Sequence, residues 1–307
     1  MSGSDDPRHM SDLFPGFITQ RAVTSGAEIH FEIGGSGPPL LLLHGFPQTH
    51  AMWHKVAPAL AHSFTVVCAD LRGYGDSSKP PTDANHAPYS KRAMALDMVE
   101  VMRSLGFDRF AVGAHDRGAR VAHRMCVDHP DVVSRAALLD ICPTRLMYAQ
   151  TDFEFAKAYY HWFFLIQPFD MPERMIGADP AYYLRRKTGS WGSGNAFFDP
   201  RAFAEYERCY CNPETIHASC EDYRASASID LAQDDIDVAA GRKVTCPLLI
   251  LWGEKGVVHR CFDPIGDWRS VATDVRGRTM PTGHYIAEEA PEATLQEFTA
   301  FFRHEGG

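Results

Sequence analysis

Asp116 lies where a predicted strand gives way to a predicted helix. Phe110 to Val112 is an apolar run typical of a buried strand, and the apolar spacing from Ala119 to His129 predicts a helix. Within Gly113-Ala114-His115-Asp116-Arg117-Gly118, small residues stand two positions to either side of the aspartate. This spacing is typical of a nucleophile elbow, a sharp turn that leaves one side chain exposed above the edge of a sheet.

The identity of this central residue decides which chemistry the turn could perform. A serine would form an acyl-enzyme, whereas the carboxylate of Asp116 can displace a leaving group from an sp3 carbon. The product would be an alkyl ester of Asp116, which water must then hydrolyse. The alternative is that Asp116 serves as an ordinary N-cap of the following helix.

Two further residues could complete a catalytic triad with this aspartate. His284 lies in Pro281-Thr282-Gly283-His284-Tyr285, just before the last predicted helix, and could act as a general base on water. Asp140 follows the apolar run from Ala136 to Leu139 and could orient the imidazole and stabilise its cation. Glu254, which follows a later strand, is the alternative for this acid, and we favour Asp140.

Arg117 and Arg120 are three residues apart in the first turn of one predicted helix, so their side chains share a face. A cation there costs about 0.3–1 kcal/mol, because it faces the positive end of the helix dipole. One explanation is a pair of surface arginines in salt bridges. The explanation that we favour is a clamp for a substrate carboxylate, since guanidinium groups bind carboxylates in bidentate geometry.

Alternating strands and helices must position these residues. Apolar runs predict strands at Glu28–Ile33, as an edge strand, and at Leu40–Leu43, Thr65–Ala69, Phe110–Val112, Ala136–Leu139 and Leu248–Trp252. Helices are predicted at Tyr89–Leu105 and Ala290–Arg303, besides the one that follows Asp116. This alternation predicts an α/β fold with a mostly parallel sheet, whose chemistry lies at the carboxyl ends of the strands.

Residues 145–230 interrupt this alternation. The segment is rich in aromatic residues and predicts long helices with few strands. We interpret it as a helical cap inserted into an α/β core that is formed by residues 13–144 and 231–307. Residues 1–12 are predicted to be a disordered leader.

Composition narrows the class of function. The chain of 307 residues is 45% hydrophobic and 22% charged, which suits one large α/β domain with an inserted subdomain. Its formal net charge of -9 disfavours nucleic acid binding. No pattern predicts a signal peptide or a membrane span. The eight cysteines form no CxxC pair, which predicts a reducing cytoplasm and no zinc site.

The motifs together resemble a known family. The elbow, the loop His44-Gly45-Phe46-Pro47, the inserted cap and the late Gly283-His284 are similar to the α/β hydrolases that include haloalkane dehalogenases, epoxide hydrolases and fluoroacetate dehalogenases. The resemblance is strongest to the fluoroacetate (haloacetate) dehalogenases and extends over about residues 14–302. Its most specific motifs are His115-Asp116-Arg117-Gly118-Ala119-Arg120, Leu139-Asp140-Ile141, Tyr160-His161-Trp162 and Cys220-Glu221-Asp222-Tyr223-Arg224.

The resemblance implies a place for the leaving group. It assigns halide binding to His161, Trp162 and Tyr223, whose ring N–H and hydroxyl groups are hydrogen-bond donors. Haloalkane dehalogenases usually carry tryptophan where this chain has Arg117, and this departure favours an anionic haloacid over a neutral substrate. Trp191 is a further residue that could line the pocket. The resemblance also implies a homodimer.

The backbone N–H groups of Phe46 and Arg117 are expected to form an oxyanion hole for the Asp116 ester. His44 is expected to be structural and to hold this loop. No step of this chemistry requires a cofactor or a metal.

We therefore expect hydrolysis of a 2-haloacetate, fluoroacetate or chloroacetate, to glycolate and halide through an ester on Asp116. One alternative is an epoxide hydrolase that uses the same triad of Asp116, Asp140 and His284. A second alternative is a non-catalytic binding protein with the hydrolase fold, in which the elbow is vestigial.

Overall fold

A sheet of eight strands forms the centre of the computed structural model, which describes residues 13–303. The predicted leader at residues 1–12 lies outside the described residues. The strands are β1 (Phe17–Val23), β2 (Glu28–Gly34), β3 (Pro39–Leu43), β4 (Thr65–Ala69), β5 (Phe110–His115), β6 (Val133–Leu139), β7 (Leu248–Gly253) and β8 (Val275–Met280). Their order in the sheet is β1-β2-β4-β3-β5-β6-β7-β8. β2 is antiparallel to both neighbours and the other pairs are parallel, which confirms the predicted α/β class.

The carboxyl ends of the three adjacent strands β3, β5 and β6 lie side by side. Leu43 pairs with Ala114, and His115 pairs with Leu139, so the residues that follow these strands meet at one edge of the sheet. The strands are buried on both faces, as continuous apolar runs require. The predicted placement of Asp116 and Asp140 at carboxyl ends is therefore confirmed.

Two strands at the sheet margins were not predicted from the sequence. β1 covers β2, so the prediction of β2 as an edge strand is wrong. β1 is largely exposed and carries Thr19, Gln20 and Arg21, which mask the apolar signal of a strand. β8 carries exposed Arg276 and Arg278 and gives an equally weak signal. Edge strands bury only part of one face, so their sequences need few apolar residues.

Helices cover the sheet and fill the interval between β6 and β7. Those before β6 are α1 (Ala57–Leu60), α2 (Lys91–Ser104) and α3 (Asp116–Asp128). Those between β6 and β7 are α4 (Thr144–Ala149), α5 (Phe153–Ala158), α6 (His161–Phe164), α7 (Met171–Gly177), α8 (Pro180–Thr188), α9 (Pro200–Tyr210), α10 (Pro213–Ser226) and α11 (Ile229–Ala239). After β7 follow α12 (Val257–Cys261), α13 (Pro264–Val271), α14 (Ile286–Glu289) and α15 (Pro291–Arg303). None of the helices within residues 13–303 has both the length and the apolar character to span a membrane.

The helices between β6 and β7 are shorter than predicted. Each of α8, α9 and α10 begins with a proline. The side chains of Asp179, Asp199 and Asn212 cap the N-termini of these three helices. Proline is favoured at this position because its missing N–H would have no helical partner there. Aromatic richness alone does not reveal these interruptions. The cap boundaries at 145 and 230 stay predictions, and α11 continues past the second one.

Helix α3 approaches β3 more closely than any side chain at Gly118 would allow. A Cβ atom at Gly118 would lie 2.4 Å from the carbonyl oxygen of His44. A Cβ atom at Gly45 would lie 2.5 Å from the Cβ of Asp116. The small residues of the elbow motif therefore let the helix and the loop after β3 come into direct contact.

We expect Gly118→Ala to lower the free energy of unfolding by about 1–3 kcal/mol, because the new methyl group overlaps backbone atoms of β3 and the following loop. Gly177→Ala in α7 is the matched control, since nothing lies within 4 Å of a Cβ atom there. Urea denaturation measures both variants. Equal stability of the two variants would contradict the close contact.

Candidate active site

Asp116 occupies the turn between β5 and α3, with a left-handed backbone φ of +43°. Its carboxylate Oδ1 accepts a hydrogen bond from the backbone N–H of Phe46 at 3.0 Å. Only 3% of the residue is exposed. His115 takes the N-cap position and Asp116 is the first residue of α3, so the alternative of an ordinary N-cap at Asp116 is wrong. A strained turn at a buried carboxylate is typical of a functional site.

The electrostatic surroundings keep this carboxylate ionised. Burial alone would raise the pKa of Asp116, but the influence of His284, His115 and Arg120 outweighs it and lowers the pKa below its ordinary value. The side chain is therefore in the charged form that a nucleophile needs. Phe46, one of the two predicted oxyanion-hole residues, already directs its N–H at Oδ1, whereas the role of the Arg117 N–H stays a prediction.

His284 and Asp140 form a buried pair beside the elbow. His284 Nδ1 lies 2.6 Å from Asp140 Oδ2, and Asp140 Oδ1 accepts a hydrogen bond from the Gly253 N–H at 2.9 Å. His284 Nε2 is buried and has no hydrogen-bond partner among the described residues. Glu254, the alternative acid, is exposed. The structure thus places Asp140, not Glu254, against the imidazole.

Backbone contacts fix the position of His284. Its N–H donates to the carbonyl of Trp191 at 3.1 Å, and its own carbonyl lies 2.9 Å from His115 Nε2. The rings of His284 and Trp191 are 4.8 Å apart. Burial would lower the pKa of His284, but the hydrogen bond and charge of Asp140 outweigh it and raise the pKa above its ordinary value.

Arg117 is fully buried and already holds an acid. Its Nε and Nη2 donate to the two carboxylate oxygens of Asp222 at 2.9 and 2.7 Å, and Nη2 also donates to Ser226 Oγ at 2.6 Å. The guanidinium lies 4.1 Å from the centre of the Tyr223 ring. Nη1 has no hydrogen-bond partner among the described residues. One edge of Arg117 is therefore used inside the protein, and only Nη1 is available to a ligand.

Arg120 differs from Arg117 in lacking an acidic partner within residues 13–303. Its Nη1 donates to the Cys142 carbonyl at 3.2 Å and to Thr144 Oγ1 at 2.8 Å, and its Nε has no hydrogen-bond partner among the described residues. The guanidinium lies 4.7 Å from the centre of the Trp162 ring. A buried cation without an anion is costly, so this arrangement suits an anionic ligand. The explanation of two surface arginines is wrong for both residues, which are at most 3% exposed.

The three predicted halide donors are buried and have free hydrogen-bonding groups. His161 Nδ1, Trp162 Nε1 and the Tyr223 hydroxyl lack hydrogen-bond partners among the described residues. The His161 ring stacks on Phe46 at 5.9 Å, and the Tyr223 ring meets the same phenylalanine edge-on at 5.4 Å. Leaving buried donors without partners costs free energy, so such a group of donors indicates a ligand site.

Trp191 and two residues that sequence reasoning missed surround these donors. The Trp191 ring lies 5.0 Å from that of His161, which places Trp191 in the wall of the site. Tyr148 has its ring 4.8 Å from that of Trp162, and its buried hydroxyl lacks a partner in the described chain. Lys187 is 1% exposed, and burial lowers its pKa to about 7. It follows two other basic residues in α8, and lysines are rarely buried, so the sequence gives no sign of its burial.

Within residues 13–303, two clusters have metal-ligand geometry, and neither belongs to this site. In the first, His30 Nδ1 and His50 Nδ1 both lie against the Asp70 carboxylate, at 3.1 and 2.9 Å. Burial opposes a charge on His50, but Asp70 outweighs it and raises the pKa of His50 to about 9, so this is an ion pair. The second cluster consists of Glu173, His217 and Glu221, and Arg224 forms ion pairs with both of its acids.

His44 is structural as expected, since its Nε2 accepts a hydrogen bond from the Leu71 N–H.

We expect Asp140→Asn to lower the pKa of His284 from its raised value, because the amide keeps the shape of the carboxylate and removes its charge. The matched control is Glu254→Gln, which should leave this pKa unchanged because Glu254 is exposed. NMR titration of the His284 ring measures both. A pKa that responds to Glu254→Gln instead would contradict the pairing.

Comparison with known proteins agrees with this architecture. The α/β hydrolase fold family matches residues 38–277. A fluoroacetate dehalogenase from Burkholderia sp is 47% identical over 290 residues, which cover 93% of this chain and 95% of that protein. A soluble epoxide hydrolase from Corynebacterium sp. (strain C12) is 36% identical over 92% of this chain and 96% of that protein.

A solved structure from Nostoc sp PCC 7120, assigned to the α/β hydrolases, superimposes with a TM-score of 0.92. It is 56% identical and covers 94% of this chain and 98% of that chain. The agreement therefore extends over the sheet and the helical interval alike. The chain belongs to the α/β hydrolase family and is a hydrolase similar over nearly its whole length to a fluoroacetate dehalogenase.

Proposed function

We propose that this hydrolase converts a 2-haloacetate to glycolate and halide through an ester on Asp116. The observation that carries the proposal is Arg120, a buried guanidinium without an acidic partner in the described chain, on the same helix as the Asp116 carboxylate. The similarity to a fluoroacetate dehalogenase supports the same substrate class. Three steps follow from the positions of the side chains.

Binding of the substrate anion is the first step. A haloacetate carboxylate about 5 Å from the Asp116 carboxylate would be repelled by about 3 kcal/mol at an effective dielectric constant of about 20. Arg120 and the free Nη1 of Arg117 would offset this repulsion and hold the carboxylate. The α-carbon then lies within reach of the nucleophile, and positioning contributes much of the rate enhancement.

Displacement of the halide is the second step. A carboxylate oxygen of Asp116 attacks the α-carbon, and the carbon–halogen bond breaks as the carbon–oxygen bond forms. The halide leaves with the bonding electrons toward the free donors of His161, Trp162 and Tyr223. The negative charge thus moves from the nucleophile to the leaving group, and the product is a glycolyl ester of Asp116.

Hydrolysis of the ester is the third step. His284 Nε2 removes a proton from water, and the hydroxide oxygen attacks the carbonyl carbon of Asp116. Asp140 stabilises the imidazolium that forms, and the Phe46 N–H stabilises the oxyanion. Collapse of the intermediate breaks the ester bond between the Asp116 carbonyl carbon and the glycolyl oxygen, and the His284 imidazolium returns its proton to that oxygen. Glycolate leaves, and one oxygen from water remains in the Asp116 carboxylate.

Epoxide hydrolysis is the second candidate function, and one observation favours it. The hydroxyls of Tyr148 and Tyr223 are both buried and lack hydrogen-bond partners in the described chain, so they could protonate an epoxide oxygen. The similarity to a soluble epoxide hydrolase supports this alternative. Such a substrate carries no carboxylate and would leave the charge of Arg120 unused. The homodimer and the cytoplasmic location stay predictions.

We expect the purified protein to release halide and glycolate from fluoroacetate or chloroacetate, and Asp116→Asn to abolish this release because the amide is not a nucleophile. Halide electrodes and chromatography of glycolate measure the products. A single turnover in oxygen-18 water should label the Asp116 carboxylate of the wild type. Absence of halide from both substrates would overturn the proposal, and diol formation from an epoxide panel would then favour the second candidate.

We expect Arg120→Met to raise KM for chloroacetate about 10–100-fold, the loss typical of a hydrogen bond to a charged group. Arg124→Met is the matched control, since Arg124 lies one turn further along α3 and pairs with Asp237. Steady-state kinetics of both variants provide the comparison. Unchanged KM in Arg120→Met, or equal effects of the two variants, would contradict the carboxylate clamp.

A further inference from the structure

Lys187 is a buried amine that no hydrogen bond or acid of the described chain compensates. The residue is 1% exposed, and its Nζ has no hydrogen-bond partner among the described residues. Two aromatic rings cover the amine, at 4.2 Å for Tyr160 and 4.7 Å for Trp191. Cation–π contacts offset only part of the cost of burying a charge. A protein that retains such a charge has a functional reason to do so.

The surroundings of Lys187 place its charge on the leaving-group side of the site. Its aromatic neighbour Trp191 lies 5.0 Å from the ring of His161, one of the proposed halide donors. Next to burial, Lys187 is the largest influence that holds the pKa of His161 below its usual value. The principal influences on the pKa of Asp116, by contrast, come from His284, His115 and the two arginines. Lys187 therefore acts on His161, whereas it is not among the principal influences on the pKa of Asp116.

The charges of the proposed reaction require a cation at this place. Before the reaction, two negative charges are present, one on Asp116 and one on the substrate carboxylate. After displacement, the ester is neutral, and the charges lie on the carboxylate and on the halide. Arg120 faces the carboxylate throughout, and Arg117 is paired with Asp222. Arg117 lies over the Tyr223 ring and Arg120 over the Trp162 ring, whereas Lys187 is a buried cation against Trp191, in the wall beside His161.

We propose that Lys187 supplies the counter-charge for the departing halide, acting through the wall formed by Trp191 and His161. This inference rests on the proposed function and adds an electrostatic positioning residue to it. The lysine favours the state in which charge has moved from Asp116 to the halide, because its neighbour Trp191 packs against His161, one of the proposed halide donors. It also keeps His161 neutral, as a hydrogen-bond donor rather than a second cation.

The test compares Lys187→Met with Lys187→Arg, which retains the charge, at a pH below the pKa of Lys187. The exposed Lys157→Met on α5 is the control for loss of a positive charge from the same helical interval. Rapid-quench measurements give the burst of halide from chloroacetate and fluoroacetate, and the later hydrolysis of the ester. Inhibition by added chloride and the thermal midpoint Tm complete the comparison.

We expect Lys187→Met to slow the halide burst about tenfold and to weaken chloride inhibition about tenfold, the effect of one charge over several ångströms. Ester hydrolysis should stay within about twofold of wild type, and Tm should be equal or higher, because a buried unpaired charge is removed. Lys187→Arg and Lys157→Met should retain the burst. A structural role would instead lower Tm and slow both steps alike.

An unchanged burst in Lys187→Met, or equal slowing of burst and hydrolysis, would overturn the inference while leaving the dehalogenase function intact. Should the methionine variant fail to fold, Lys187→Gln provides the neutral side chain for the same measurements. Failure of the wild type to release any halide would overturn the proposed function, and this inference with it.

Discussion

The close contact between helix α3 and the loop after β3 is the constraint on which the site depends. Gly118 and Gly45 leave no room for side chains, so the backbone of the loop lies directly against the turn that carries Asp116. This contact places the Phe46 N–H on the carboxylate. Because β5 and β6 are parallel neighbours, Asp116 also lies beside Asp140, the acid that pairs with His284. The proposed nucleophile, base and oxyanion donor thus share one edge of the sheet.

Charge compensation distinguishes the two arginines of the elbow, since Arg117 forms a buried ion pair and Arg120 forms none within the described chain. Arg117 and Lys91 both contact the buried Asp222, so this group of charges is internally paired and ties α10 to α3. Arg120 forms no ion pair within the described chain, although its charge helps to keep the Asp116 carboxylate, one turn away, ionised. Buried ion pairs contribute little to stability, but unpaired buried charges reduce it. The site therefore retains an electrostatic imbalance that an anionic substrate would correct.

The helices between β6 and β7 contribute the polar groups that the fold itself leaves unsatisfied. The free donors of His161, Trp162 and Tyr223 gather around Phe46 and the two arginines, among aromatic rings that exclude water. Water exclusion strengthens each hydrogen bond and each charge interaction at the site. Lys187 belongs to the same set, since its burial is unfavourable for stability alone. We infer that these groups reduce the stability of the free protein and favour the bound state.

The buried strands, the elbow and the candidate triad could be predicted from the sequence, because they depend on local periodicity and on residues next to strand ends. Which of the two arginines lacks an acidic partner within the described chain became evident from the folded chain alone, since Arg117 and its partner Asp222 are 105 residues apart and no local pattern connects them. The burial of Lys187 could not be predicted for the same reason, since its basic neighbours Arg185 and Arg186 are exposed. Its burial results from packing against Tyr160 and Trp191, and packing between distant segments leaves no periodic trace in a single sequence.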